Sequence, residues 1–120
     1  MYLVLREREP YTTLDGSLVW ELIRPEDGSS RVSVARAFIA EGQRTYPHMH
    51  RTSEEVYYIL RGQGVVVVGG QEHPVAPGDA VLIPAGAEHF AFGVGGPLEL
   101  LAICAPPYRH DDTDLTEALA

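Results

Sequence analysis

The sequence contains no lysine; all nine of its basic residues are arginine. Without a lysine amine there is no Schiff-base nucleophile and no phosphate-loop lysine, so pyridoxal chemistry and nucleotide hydrolysis drop out. Positive charge is scarce altogether. Seventeen acidic residues against nine arginines leave a net charge of −8 and a pI near 4.9. Such a chain lacks the basic footprint that binds nucleic-acid phosphates, and the basic face that lies on a membrane surface. Cysteine is nearly missing as well. Cys104 stands alone in the apolar run LELLAIC, so no intrachain disulfide can form, and its expected role is that of a small buried hydrophobe. Long apolar runs are absent: the longest stretches free of Asp, Glu and Arg, such as Gly62 to Gln71, are too short for a membrane span. The opening MYLVLREREP meets Arg6 and Glu7 before any signal-peptide core could form, and a cytoplasmic location is expected.

Helical periodicity is nearly absent too. The 120 residues suit one domain, and 45% apolar content is enough for an unassisted core. Twelve glycines and nine prolines punctuate short apolar or alternating runs. Leu3 to Glu7 and Ser17 to Ile23 read as strands around a Leu14-Asp15-Gly16 turn. Arg31 to Ala40 and Glu55 to Leu60 follow, the latter rich in aromatic and β-branched residues. Gly62-Gln63-Gly64 reads as a turn into Val65 to Val68, and Gly69-Gly70 as a hairpin into Gln71 to Val75. Two further turns, at Pro77-Gly78-Asp79 and Pro84-Ala85-Gly86, flank AVLIP and lead to EHFAF. Leu98 to Cys104 is expected to be the last strand. About nine short strands with turns every eight to twelve residues indicate an all-β sandwich or barrel. The polar tail 106–120 either wraps this barrel or frays, with a short helix possible near Thr113.

Histidine carries the chemical signal. Of the five, His48 and His50 have i, i+2 spacing, so in extended chain both rings leave the same face with α-carbons about 7 Å apart. Two ring nitrogens can then reach one ion at about 2.1 Å each. A carboxylate follows at the mouth of the EVYYIL strand, and His89 comes after a tight turn on another strand. Three imidazoles and one carboxylate make an N3O set that leaves coordination positions open.

The segment Gly42-x5-His48-x-His50-x4-Glu55-x6-Gly62 resembles the first motif of the cupins, and Gly78 to Gly93 resembles their second through His89. The resemblance implies a single jelly-roll domain over 1–120, a double-stranded β-helix barrel with little helix. It implies His48, His50, Glu55 and His89 as ligands of one divalent transition metal, and a homodimer. Gly93 departs from the asparagine common at that position in the second motif; the departure bears on strand geometry and not on the metal. Glu55 is favoured over Glu54 by its spacing to Gly62, and Glu54, His73 and His110 are expected outside the set. If Glu55 points inward, Tyr57 and Ile59 share its face while Val56 and Tyr58 point away; Ala91 points inward, Phe90 and Phe92 outward and in need of cover. Tyr57 is therefore the candidate substrate contact or catalytic group. Arg36 or Arg44 could meet an anionic substrate, but the favoured reading of both is a solvated surface arginine.

Such a donor set suits Mn, Fe, Zn, Ni or Co and does not choose among them. The expected function is a metal-dependent oxygenase or oxidase acting on a small oxygen-bearing organic substrate. Two other functions fit the same site: sugar or keto-acid isomerisation or epimerisation, and non-catalytic metal or ligand binding.

Overall fold

The architecture is a long two-stranded ribbon curled over until its ends meet. The computed structural model describes residues 3–116. Its strands are β1 (Tyr11–Thr12), β2 (Leu18–Ile23), β3 (Ser33–Ile39), β4 (His48–His50), β5 (Glu54–Val68), β6 (Gln71–Val75), β7 (Ala80–Ile83), β8 (His89–Ala105) and β9 (Thr113–Leu115). Helix is confined to single turns at Pro25–Asp27 and His110–Asp112. No helix among the described residues is long and apolar enough to cross a membrane.

β5 and β8 pair antiparallel over almost their whole length, from Glu54 opposite Ala105 to Val68 opposite His89. The ladder slips between Ile59 and Gln63, where Gly62 takes a positive φ of 80°. A Cβ at Gly62 would overlap the carbonyl oxygen of Pro97, and one at Gly93 would overlap that of Gly96. Backbone thus packs on backbone at the inside of the bend. This accounts for Gly93: the bend has no room there for asparagine. Gly62-Gln63-Gly64 is accordingly not a turn between two strands, and EHFAF and LELLAIC are one strand. A glycine-bearing bulge bends paired strands without ending them.

β8 pairs on with β3, which continues through β2 to β1; β4 joins β8 and β9, while β6 and β7 flank β5. The Gly69-Gly70 hairpin forms as read, with both glycines at positive φ. Along β5, Glu55, Tyr57 and Ile59 are buried, Val56 is half-buried and Tyr58 exposed. Ala91 points inward on β8, with half-buried Phe90 and Phe92 stacked outside. Ile59, Ile83, Leu98 and Leu100 are the largest fully buried apolar side chains of the core, each contributing about 1.5–3 kcal/mol by burial.

Three expectations need correction. Leu3 to Glu7 is not a strand, because Leu3 and Val4 are exposed and the run has no buried face. Leu98 to Cys104 does not end the sheet, since β9 follows it. Thr113 opens that strand and not a helix: Thr113 to Leu115 find a free ladder edge on β4, and backbone pairing there outcompetes a helical turn. Residues 117–120, where such a helix would continue, lie outside the described residues.

Candidate metal centre

β4 presents His48 and His50 on one face, as their spacing requires, and each is covered from a different side. His48 lies opposite His89 of β8, and His50 lies opposite Thr113 of β9. Glu55, at the start of β5, lies opposite Cys104 near the other end of β8. The curl of the β5–β8 ribbon brings the two ends of β8 to one point. His48, His50, Glu55 and His89 consequently meet there, all buried, with one donor atom from each within 4.8 Å of every other. Glu54 and His73 are exposed and away from the cluster.

The outer nitrogens of the rings fix which nitrogens face inward. His48 Nδ1 donates to the Tyr46 carbonyl at 2.8 Å, and His89 Nδ1 to the Ala87 carbonyl at 3.0 Å. His50 Nδ1 sits 2.9 Å from the Thr113 hydroxyl, whose own proton goes to the Arg109 carbonyl, so the hydroxyl accepts from His50. All three Nε2 lone pairs therefore turn toward the cluster. His50 Nε2 and His89 Nε2 stand 3.2 and 3.1 Å from Glu55 Oε1. Acceptors face acceptors, which either ring protonation or one cation can satisfy. Full protonation would crowd three positive rings at centroid separations of 4.2–5.4 Å. A single divalent ion satisfies all four donors at once, and the set fits one.

The charges agree with this division. Burial opposes ionisation of Glu55, but when His50 and His89 carry a proton on Nε2 their hydrogen bonds outweigh it and hold the carboxyl well below its ordinary range. Burial and the neighbouring His89 push His48 down. Burial also works against a charged His50, yet the Glu55 carboxylate outweighs it and raises that ring.

Cys104 is more than a packing residue. Its thiol donates to Glu55 Oε2 at 3.1 Å, which leaves Oε1 to face the histidines. Burial and the Glu55 charge hold the thiol well above its usual range, so it acts as a donor and not a thiolate. Tyr57 stands beside the cluster, its ring 5.9 Å from that of His89. Burial, then the Glu55 charge, keeps its phenol protonated.

A cavity of about 450 Å³ opens onto His48, His50, Glu55 and Tyr57. Its mouth is walled by Tyr11, Tyr108 and His110, whose rings meet edge to face. The Tyr108 hydroxyl and His110 Nδ1 share a hydrogen bond of 2.7 Å. The tail thus wraps the barrel, and exposed His110 reaches the mouth without joining the donor set. Asp15 also enters the cavity, its Oδ2 3.6 Å from His48 Nε2.

Arg36 and Arg44 are surface residues and do not meet the cavity. Arg36 lies over Trp20 and pairs with Glu7 and Glu99 on the outside of the sheet. Arg44 lies over Phe90, also outside, where it supplies part of that ring's cover. Both sit on outward-facing positions, and the barrel wall separates them from the cavity. The sequence reading missed Asp15, Cys104 and Thr113. An Asp-Gly turn, an apolar run and a polar tail carry no ligand signal; the contacts arise from strand register.

The cupin domain family model matches residues 35–104, which include all four cluster residues. The chain belongs to the cupin family. Among its relatives is an uncharacterized protein of Methanocaldococcus jannaschii, 39% identical over 91% of this chain and 89% of its own. An oxalate-binding protein of Thermotoga maritima is 34% identical over 58% of each chain. Among solved cupin-fold structures, a predicted oxalate decarboxylase from Thermotoga maritima is 27% identical with a TM-score of 0.73, covering 87% of this chain and 99% of that one. A nucleoside dehydratase superposes at a TM-score of 0.78 with 17% identity, covering 100% and 95%, which establishes the shared fold alone.

Proposed function

We propose that this cupin binds one divalent transition metal through His48, His50, Glu55 and His89 and acts as a metal-dependent oxidase or oxygenase on a small oxygen-bearing organic substrate. The observation that carries the reading is the convergence of three Nε2 lone pairs and Glu55 Oε1 at the inner end of a cavity large enough for such a substrate. A divalent ion in that set polarises a chelating oxygen and, when redox-active, mediates electron transfer to dioxygen. The protein's own residues do the rest. Cys104 holds Glu55 in place, and protonated Tyr57 offers an O–H to a substrate oxygen. Tyr11, Tyr108 and His110 narrow the entrance and limit water. The homodimer implied by family membership belongs to the same proposal, and sedimentation tests it.

One observation favours a second reading, metal-assisted isomerisation. Asp15 Oδ2 stands where a carboxylate could exchange a proton with a polarised substrate. Oxygen uptake separates the two. Iron- or manganese-loaded protein should consume oxygen with at least one member of a panel of diketones, hydroxy acids and catechols. The His48→Ala/His89→Ala double variant should consume none. No uptake by fully metal-loaded protein with any compound contradicts the oxidative reading.

A further inference from the structure

The side wall of the cavity says which ligands it takes. Asp15 lies in the turn before β2, and one of its oxygens is fully engaged there: Oδ1 accepts from the Thr13 hydroxyl at 2.5 Å, the Ser17 amide at 2.9 Å and the Ser17 hydroxyl at 2.6 Å. Oδ2 takes part in none of these bonds and faces His48 Nε2 across 3.6 Å. The turn therefore clamps the carboxylate with one oxygen aimed beside the donor cluster. Further out, Glu21 and Glu26 also line the cavity. The arginines among the described lining residues are already engaged, Arg24 by Glu21 and Glu26 and Arg109 by Asp111.

We infer that the ligand of this cavity is an uncharged compound with adjacent hydroxyl groups, a catechol or vicinal diol, and that Asp15 rejects dicarboxylates. The inference rests on the metal reading above. A hydroxyl chelating beside the cluster can donate its proton in a hydrogen bond to Asp15 Oδ2, a charge-assisted contact. An oxalate-like dianion would place a second carboxylate against Oδ2, where the lining arginines are already ion-paired with Glu21, Glu26 and Asp111, and like charges at that range repel. The edge-to-face group of Tyr11, Tyr108 and His110 at the mouth offers a planar ring faces to meet. This ligand preference is opposite to that named for the oxalate-binding relative.

Zinc-loaded protein allows the test without turnover. Calorimetry with catechol and with oxalate, on samples whose metal content has been measured, should show catechol binding at least about tenfold more tightly. In Asp15→Asn, which keeps the Oδ1 acceptor, the preference should fall severalfold or reverse. Tighter oxalate binding by the wild type, binding of neither ligand, or an unchanged preference in Asp15→Asn overturns the inference. The wild-type ratio is decisive even if the variant does not fold. A wild type that holds its metal yet does not prefer catechol refutes the ligand inference alone, whereas a wild type that takes up no metal refutes the underlying reading as well.

Discussion

Of the three Nδ1 anchors around the cluster, two are backbone carbonyls and one is a side chain, the Thr113 hydroxyl. Thr113 can therefore be changed without touching the histidines or their strands. Thr113→Val keeps the shape and removes the acceptor, freeing the His50 ring to tilt or to change tautomer. Metal affinity should fall about 10- to 100-fold, measured by competition with a chromophoric chelator; unchanged affinity would show that the anchor does nothing. Cys104 is the corresponding case for Glu55. Cys104→Ala leaves Oε2 buried without its donor and should cost about 1–3 kcal/mol in urea unfolding of the metal-free protein. Cys104→Ser, which retains a donor, should recover part of that loss. The cluster residues were legible in the sequence because three of them lie within eight positions and the fourth follows a tight turn. Thr113 and Cys104 were not. Each meets its partner through strand register, 63 and 49 residues away in the chain.

At the level of elements, the tail is held by its own carboxylate. Asp112 accepts from the Thr52 amide at 3.1 Å and the Ser53 amide at 3.3 Å, pinning the segment before β9 to the loop between β4 and β5. Burial opposes its ionisation, but these bonds outweigh it and hold its pKa below the ordinary value. A folded-state value below the unfolded one, about 3.9, gives stability that is complete above that pH and lost as pH falls through the folded value. Asp112→Asn imitates the protonated group. It should cost about 1–3 kcal/mol at pH 7, and its unfolding midpoint should converge on the wild type's as pH falls through the folded-state value. A constant gap across pH would mean that the charge is irrelevant. Strand content was readable from alternation and turn residues, as in Glu55 to Leu60. Strand continuity was not, because Gly62 and Gly64 signal a turn locally and become a bend only when β8 lies alongside. The tail's pairing was equally hidden, since β9 is three residues long and carries little apolar pattern.

On the scale of the molecule, the net charge of −8 serves solubility and has little to do with the site. The site depends on closure: Glu55 and His89 lie 34 residues apart yet meet at 3.1 Å because the β5–β8 ribbon curls through its glycine bend. A metal bound there would tie β4, β5 and the start of β8 together and so stabilise the folded barrel by mass action. The most direct test is elemental analysis of protein purified without a chelator or a histidine tag, loaded with a divalent metal and desalted. The wild type should retain about one ion per chain, and the His48→Ala/His89→Ala double variant less than about a tenth of that. Stoichiometric metal in the double variant, or none in the wild type, would contradict the assignment of the cluster as a metal centre.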